Sequence, residues 1–141
     1  MICKIANLGV DVPPLGNLYQ RCKPYEADVS VDITLDVTQI RPDIWKEASA
    51  ESNYYLSSGA DFYRQMLRYD GMMLHASAVA LGGRAYLFSG PCGRGKSTHT
   101  RLWQKTFGPD AQIFNDDKPA LRRLGRWYAY GTPWCGKDGL N

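Results

Sequence analysis

Histidine is scarce in this chain and cysteine is scattered. The 141 residues hold two histidines and four cysteines, and no two cysteines form a C-x-x-C pair. That spacing argues against a zinc site. No apolar run approaches the length of a membrane span, so a membrane role is not expected. Met1-Ile2-Cys3-Lys4 leads into none of the long apolar stretch of a secretory leader. Cys3, Cys22, Cys92 and Cys135 are therefore expected as thiols in a reducing, cytoplasmic compartment. The basic residues do not run together and the net charge is only +3, so nucleic acid is not an expected partner. Internal repeats and low-complexity tracts are absent.

What remains is a globular composition. At 44% hydrophobic and 22% charged, the length suffices for a real core. Residues 1–9 read as a first strand, and the prolines and glycine of 12–17 as a loop. Tyr19 to Tyr25 shows no clean period. Residues 28–38 carry the clearest strand pattern, with Val29, Val31, Ile33, Leu35 and Val37 alternating with polar residues. Asp28, Asp32 and Asp36 lie on its wet face. They invite a metal reading, but a solubilising face is the expectation. Pro42 can open a turn or short helix. Residues 59–69 read as a helix with Phe62, Met66 and Tyr69, and also Tyr63 and Leu67, along one side. Ser58 or Asp61 would serve its start and Gly71 its end.

From Met72 the pattern changes. Residues 74–81 are apolar and β-capable, Gly82-Gly83 signals a hairpin turn, and residues 84–89 form the returning strand. That strand delivers the chain to Gly90-Pro91-Cys92-Gly93-Arg94-Gly95-Lys96-Ser97, which fits G-x-x-x-x-G-K-[ST]. Such a phosphate-binding loop (P-loop) curls so that its amides point inward at an anion. Gly90, Cys92, Gly93, Arg94, Gly95, Lys96, Ser97 and Thr98 are the candidate nucleotide-binding residues. Lys96 would reach the β- and γ-phosphates, and the Ser97 hydroxyl would sit on Mg²⁺. The helix expected over 98–107 adds its N-terminal dipole, carries a stripe of Leu102, Trp103 and Phe107, and stops at Gly108-Pro109. Cys92 lies among loop amides beside a lysine, a setting that predicts ready alkylation.

The run 111–115 then ends on Asp116-Asp117, a strand followed by acid, as beside Mg²⁺ in nucleotide sites. Phosphoryl transfer needs charge neutralisation, in-line positioning and a proton acceptor. Lys96, the loop amides and Mg²⁺ supply the first. Asp116 is assigned the base, and Asp117 with Ser97 the metal; the sequence alone does not separate the two acids. Residues 121–124, Gly125 and residues 127–130 suggest another hairpin. Lys137, in the Gly-rich end, is a candidate second phosphate contact or a solvated loop lysine.

Leu74-His75-Ala76-Ser77-Ala78-Val79, the loop, and Asn115-Asp116-Asp117 follow in that order. Together they resemble the C-terminal catalytic domain of HPr kinase/phosphorylase. The likeness is closer to its smaller HPr-kinase-like relatives, some of which occur with peptide-modification systems, and it covers about residues 58–141. It implies an α/β P-loop nucleotide-binding domain of the phosphoenolpyruvate carboxykinase type, with a mixed sheet. It also implies ATP, Mg²⁺ and transfer to a serine hydroxyl of a protein or peptide, with His75 near the phosphates. The expected division is a β-containing segment over 1–57 and the nucleotide-binding domain over 58–141. Two departures stand out. Family members continue well beyond residue 141, so the fold is expected to be incomplete at its C-terminus. An exposed sheet edge would then favour a homo-oligomer. HPr kinases also carry an acid where Thr98 stands, which argues against HPr itself as acceptor. Two rivals use the same loop: a kinase of a small hydroxylated metabolite, and a non-catalytic ATP-binding regulatory module.

Overall fold

The chain begins with a hairpin turned by Ala6 and Asn7, whose φ angles are 49° and 62°. A computed structural model of the chain describes residues 1–38, 49–136 and 139. The positions of Pro42 and Lys137 lie outside the described residues. Among the described residues, three α-helices and several small sheets make a mixed α/β arrangement. It divides into two compact units, Met1–Tyr69 and Asp70–Asn141. The division expected after residue 57 falls inside a helix of the first unit.

In that unit β1 (Ile2–Ile5) and β2 (Leu8–Asp11) pair antiparallel across the Ala6-Asn7 turn. The single strand expected over 1–9 is thus two. Two consecutive left-handed residues match the twist of a two-residue hairpin, and alanine gives no warning of it. Helix α1 (Gly16–Cys22) buries Leu18 and Cys22, and a 3-10 turn, Lys23–Tyr25, follows.

The strand expected over 28–38 shrinks to β3 (Ile33–Thr34), parallel to β2. Asp32 explains where it starts. Its main-chain N–H donates to the Gly9 carbonyl at 2.8 Å, and its Oδ2 accepts from the Gly9 N–H, also at 2.8 Å. A side chain has taken the place of a ladder carbonyl, so regular pairing begins only beyond it. The alternation decides burial only in part: Ile33 and Leu35 are buried and Thr34 is exposed, but Val31 is exposed and Val29 and Val37 are half-buried. Asp36 Oδ1 accepts from the Thr38 N–H and hydroxyl. Among the described residues no group of three or more His, Cys, Asp or Glu is placed to hold a metal ion.

Helix α2 (Ala50–Met66) starts well before the expected Gly59. Its N-cap is Ser49, whose hydroxyl accepts from the Ser52 N–H at 3.2 Å. Ser58 and Asp61 do other work. Ser58 donates back to the Tyr55 carbonyl, and Asp61 accepts from the Asp36 N–H, Arg64 and Gln65. Phe62, Tyr63 and Met66 are buried as the stripe predicts, but Leu67 is exposed. A 3-10 turn, Leu67–Tyr69, ends the helix, and Asp70 at φ 51° makes the exit. Gly71 instead opens the next strand.

Among its described residues the second unit holds two three-stranded sheets. One has β4 (Gly71–Met73), β8 (Ala120–Leu124) and β9 (Arg126–Tyr130) in that order, with β8 and β9 joined at Gly125. The other has β6 (Arg84–Ser89), β5 (Ala76–Leu81) and β7 (Gln112–Asn115). Gly82 and Gly83 make the β5–β6 turn at φ 57° and 72°. Every neighbouring pair in these two sheets is antiparallel, where a mixed sheet was expected. β6 and β7 nevertheless run the same way, because both oppose the strand between them. Helix α3 (Lys96–Phe107) connects them. It begins two residues before the expected Thr98 and ends at Gly108, φ 60°. Its buried residue is Thr100, whereas Leu102 and Phe107 of the expected stripe are exposed. Trp103 packs by its ring on Tyr86 and Phe88 of β6. No helix among the described residues is long and apolar enough to cross a membrane.

Candidate functional site

Strand direction gathers the site. β6 and β7 end, and β5 begins, at one edge of the β6-β5-β7 sheet. The 90–97 loop leaves β6 there, Asp116 and Asp117 follow β7, and His75 precedes β5. Three stretches far apart in sequence therefore converge because β5 runs against its two neighbours.

The loop owes its shape to glycine. Gly93 and Gly95 have φ angles of 76° and 83°, conformations costly for residues with a Cβ. Gly95 is the residue before α3, and its carbonyl accepts the His99 N–H at 2.9 Å. A Cβ at Gly93 would meet nothing within 4 Å, and one at Gly95 only Thr98 Cβ at 4.0 Å. The protein's own packing thus leaves the space beside both glycines open. Lys96 Nζ turns back onto the loop and donates to the carbonyls of Gly90, at 2.9 Å, and Pro91, at 3.2 Å.

The acid pair is built on a buried amide. Asn115 ends β7 fully buried. Its Oδ1 accepts the N–H groups of Asp117, at 3.0 Å, and Lys118, at 2.8 Å, closing an Asx turn. Its Nδ2 donates to the carbonyl and hydroxyl oxygens of Thr132, both at 3.2 Å. Thr132 in turn donates to the Lys118 carbonyl at 2.9 Å. The Asp117 carbonyl accepts the Ala76 N–H at 3.1 Å, tying the turn to the start of β5.

The two carboxylates have different partners. Asp117 Oδ1 lies 3.2 Å from His75 Nε2, and its Oδ2 contacts the Lys118 ammonium. The His75 carbonyl is itself held by the Ser89 hydroxyl at 3.0 Å. Gly136, at φ 81°, passes so close that a Cβ there would stand 3.1 Å from Asp117 Cβ. Asp116 Oδ1 instead accepts from the Ser77 hydroxyl at 2.5 Å.

All this surrounds one cavity of about 540 Å³, within the size range of small-molecule sites. Cys92, Gly93, Gly95, Lys96, Ser97 and Thr98 line it from the loop, and His75, Asp116, Asp117 and Gly136 from the other side. Gly90 and Arg94 are outside that lining: Gly90 gives its carbonyl to Lys96, and Arg94 is exposed. Cys92 is exposed. The supporting roles of Ser77, Thr100, Lys118, Thr132 and Gly136 are new from the structure. One signal was available for Ser77, a hydroxyl inside an otherwise apolar strand.

The donor set suits a hard cation paired with phosphates. Ser97 and Asp117 offer oxygen ligands, and Mg²⁺ commonly takes one or two carboxylates plus phosphate oxygens and water rather than a complete protein cage. The space beside Gly93 and Gly95 is left open by the protein's own packing. Comparison with protein-family models, curated proteins and solved structures returns no match for this chain.

Proposed function

We propose that the second unit is a Mg²⁺·ATP-dependent kinase domain, HPr-kinase-like and carboxykinase-like in type, that phosphorylates a serine of a protein or peptide. The observation that carries this reading is the single cavity lined by Lys96 and Ser97 on one side and Asp116, Asp117 and His75 on the other. A Gly-rich loop at a helix start binds an anion; a loop faced by carboxylates at its mouth can also act on one.

The residues divide the work by their partners. Lys96 leaves the Gly90 and Pro91 carbonyls for phosphate oxygens. Ser97 and Asp117 would hold Mg²⁺, which would supply neutralisation of the phosphate charge. His75 and Lys118 orient Asp117. Asp116 takes the acceptor proton through the oxygen that Ser77 does not occupy. As the serine oxygen bonds to the γ-phosphorus, the bond from that phosphorus to the bridging oxygen breaks, and ADP leaves. The proton rests on Asp116 until solvent removes it. Cytoplasmic placement fits ATP as the phosphoryl donor.

The test is transfer of labelled γ-phosphate into a serine-peptide library and, in parallel, into small alcohols. Peptide labelling that is lost in Asp116→Asn is expected. Labelling of alcohols alone would move the reading to a metabolite kinase. ATP binding with no transfer to either would move it to a regulatory module.

A further inference from the structure

We propose that Ser77, backed by Thr100, is a positioning residue that fixes Asp116 against the start of α3; this rests on the phosphotransfer reading above. Ser77 sits in β5 between Ala76 and Ala78, and all three are fully buried. Packing alone would be served by another alanine. A buried hydroxyl costs stability unless it is hydrogen-bonded, and this one is bonded twice. Its oxygen lies 2.5 Å from Asp116 Oδ1 and 2.7 Å from Thr100 Oγ1. Thr100, also fully buried, lies with Oγ1 3.1 Å from the Ser97 carbonyl.

Proton counting orders the chain. A carboxylate only accepts, so the one Ser77 proton goes to Asp116. The Thr100 proton is then shared between the Ser77 oxygen and the Ser97 carbonyl. Two hydroxyls thus span from the residue assigned to Mg²⁺ to the residue assigned as base, joining β5, α3 and the turn after β7. The O–H···O distance to Asp116 is in the range of a charge-assisted bond, which makes the link short and stiff. Neither Ser77 nor Thr100 lines the cavity. Their contribution is the placement of one Asp116 oxygen, so that the other faces an incoming hydroxyl in line with the phosphate.

The test uses Mg²⁺·ATP with water as acceptor, followed by ADP release. Ser77→Ala is expected to lower kcat roughly 10- to 100-fold while leaving KM for ATP within about two-fold, because the loop is untouched. Thr100→Val, which keeps the shape and removes the hydroxyl, lowers kcat in the same direction, and Thr100→Ser restores it. Unchanged kcat in Ser77→Ala, or a rise in KM alone, overturns the inference. Thermal unfolding gives a second arm that needs no turnover. The Tm losses of Ser77→Ala and Asp116→Ala are expected to be non-additive in the double variant, since each removes the same bond. Additive losses overturn the link. If the wild-type chain neither releases ADP nor labels a serine peptide, the phosphotransfer reading falls and the Tm cycle alone decides whether Ser77 holds Asp116.

Discussion

The side-chain oxygen of Asn115 accepts the main-chain N–H of Asp117 at 3.0 Å. The acid pair is therefore held by an amide that never reaches the cavity. Asn115→Ala removes this acceptor and the donor to Thr132 together. Loss of buried hydrogen bonds at one site costs about 2 kcal/mol or more, so a Tm several degrees lower is expected by calorimetry. Mg²⁺-dependent ATP binding weakens with it, as Asp117 loses its place. A variant with unaltered Tm and Mg²⁺ dependence would show that the turn holds itself.

Gly136 is the second support of Asp117. Alanine there adds a Cβ 3.1 Å from Asp117 Cβ on a backbone at φ 81°. The left-handed conformation alone costs a residue with a Cβ about 1–2 kcal/mol. Gly136→Ala is expected to lower Tm and to displace Asp117, weakening Mg²⁺-dependent nucleotide binding while metal-free binding is retained. Equal loss of both would place the effect on the loop instead.

Gly9 tests the first unit by itself. A Cβ at this position would lie 1.8 Å from the Ser30 carbonyl oxygen, a main-chain atom. No rotamer relieves that, so β2 or the 30–32 segment must move and the paired bonds between Gly9 and Asp32 break. Gly9→Ala is expected to cost about 3 kcal/mol or more, read as a loss in denaturation midpoint. Near-wild-type stability would contradict the close approach.

These cases separate what was readable in the sequence from what was not. Gly82-Gly83, Gly125 and Gly108 mark real turns and a real helix end because glycine answers a backbone need at the residue itself. His75, Lys96, Ser97, Asp116 and Asp117 were legible as residue types, and their meeting follows from strand directions the hairpin signal partly implied. The misses have tertiary causes. Ala6 turns left-handed because β1 and β2 gain by pairing. The 28–38 alternation gave neither a long ladder nor a continuous buried face: the Asp32 side chain occupies the Gly9 N–H, and Val31 is exposed. The start of α2 was hidden by weak periodicity before Gly59, although Ser49 is an ordinary cap. Leu102 and Phe107 follow a helical stripe that the described core does not cover.

Burial sets a pH limit on the first unit. Cys22 is fully buried, and loss of hydration pushes its thiol from an ordinary 9.0 up to about 12, with Cys3 adding to the shift. Between those values the unfolded thiol is ionised and the folded one still holds its proton. The unfolded state then binds fewer protons, so stability is full below about pH 9 and falls as pH rises toward 12. The slope is about 1.4 kcal/mol per pH unit from this one group. Urea unfolding at pH 8 and pH 10.5 should show a steeper loss for the wild type than for Cys22→Ala. Parallel losses would mean that the thiol is not buried.

Nucleotide binding by the 90–97 loop is the property on which the proposed activity depends. Calorimetric titration of the chain with ATP in the presence of Mg²⁺, against Lys96→Ala, measures it. Saturable, Mg²⁺-dependent binding at one site per chain is expected, lost in Lys96→Ala while the variant stays folded. A folded wild-type chain that takes up no ATP, or a Lys96→Ala variant that binds as well, would contradict it.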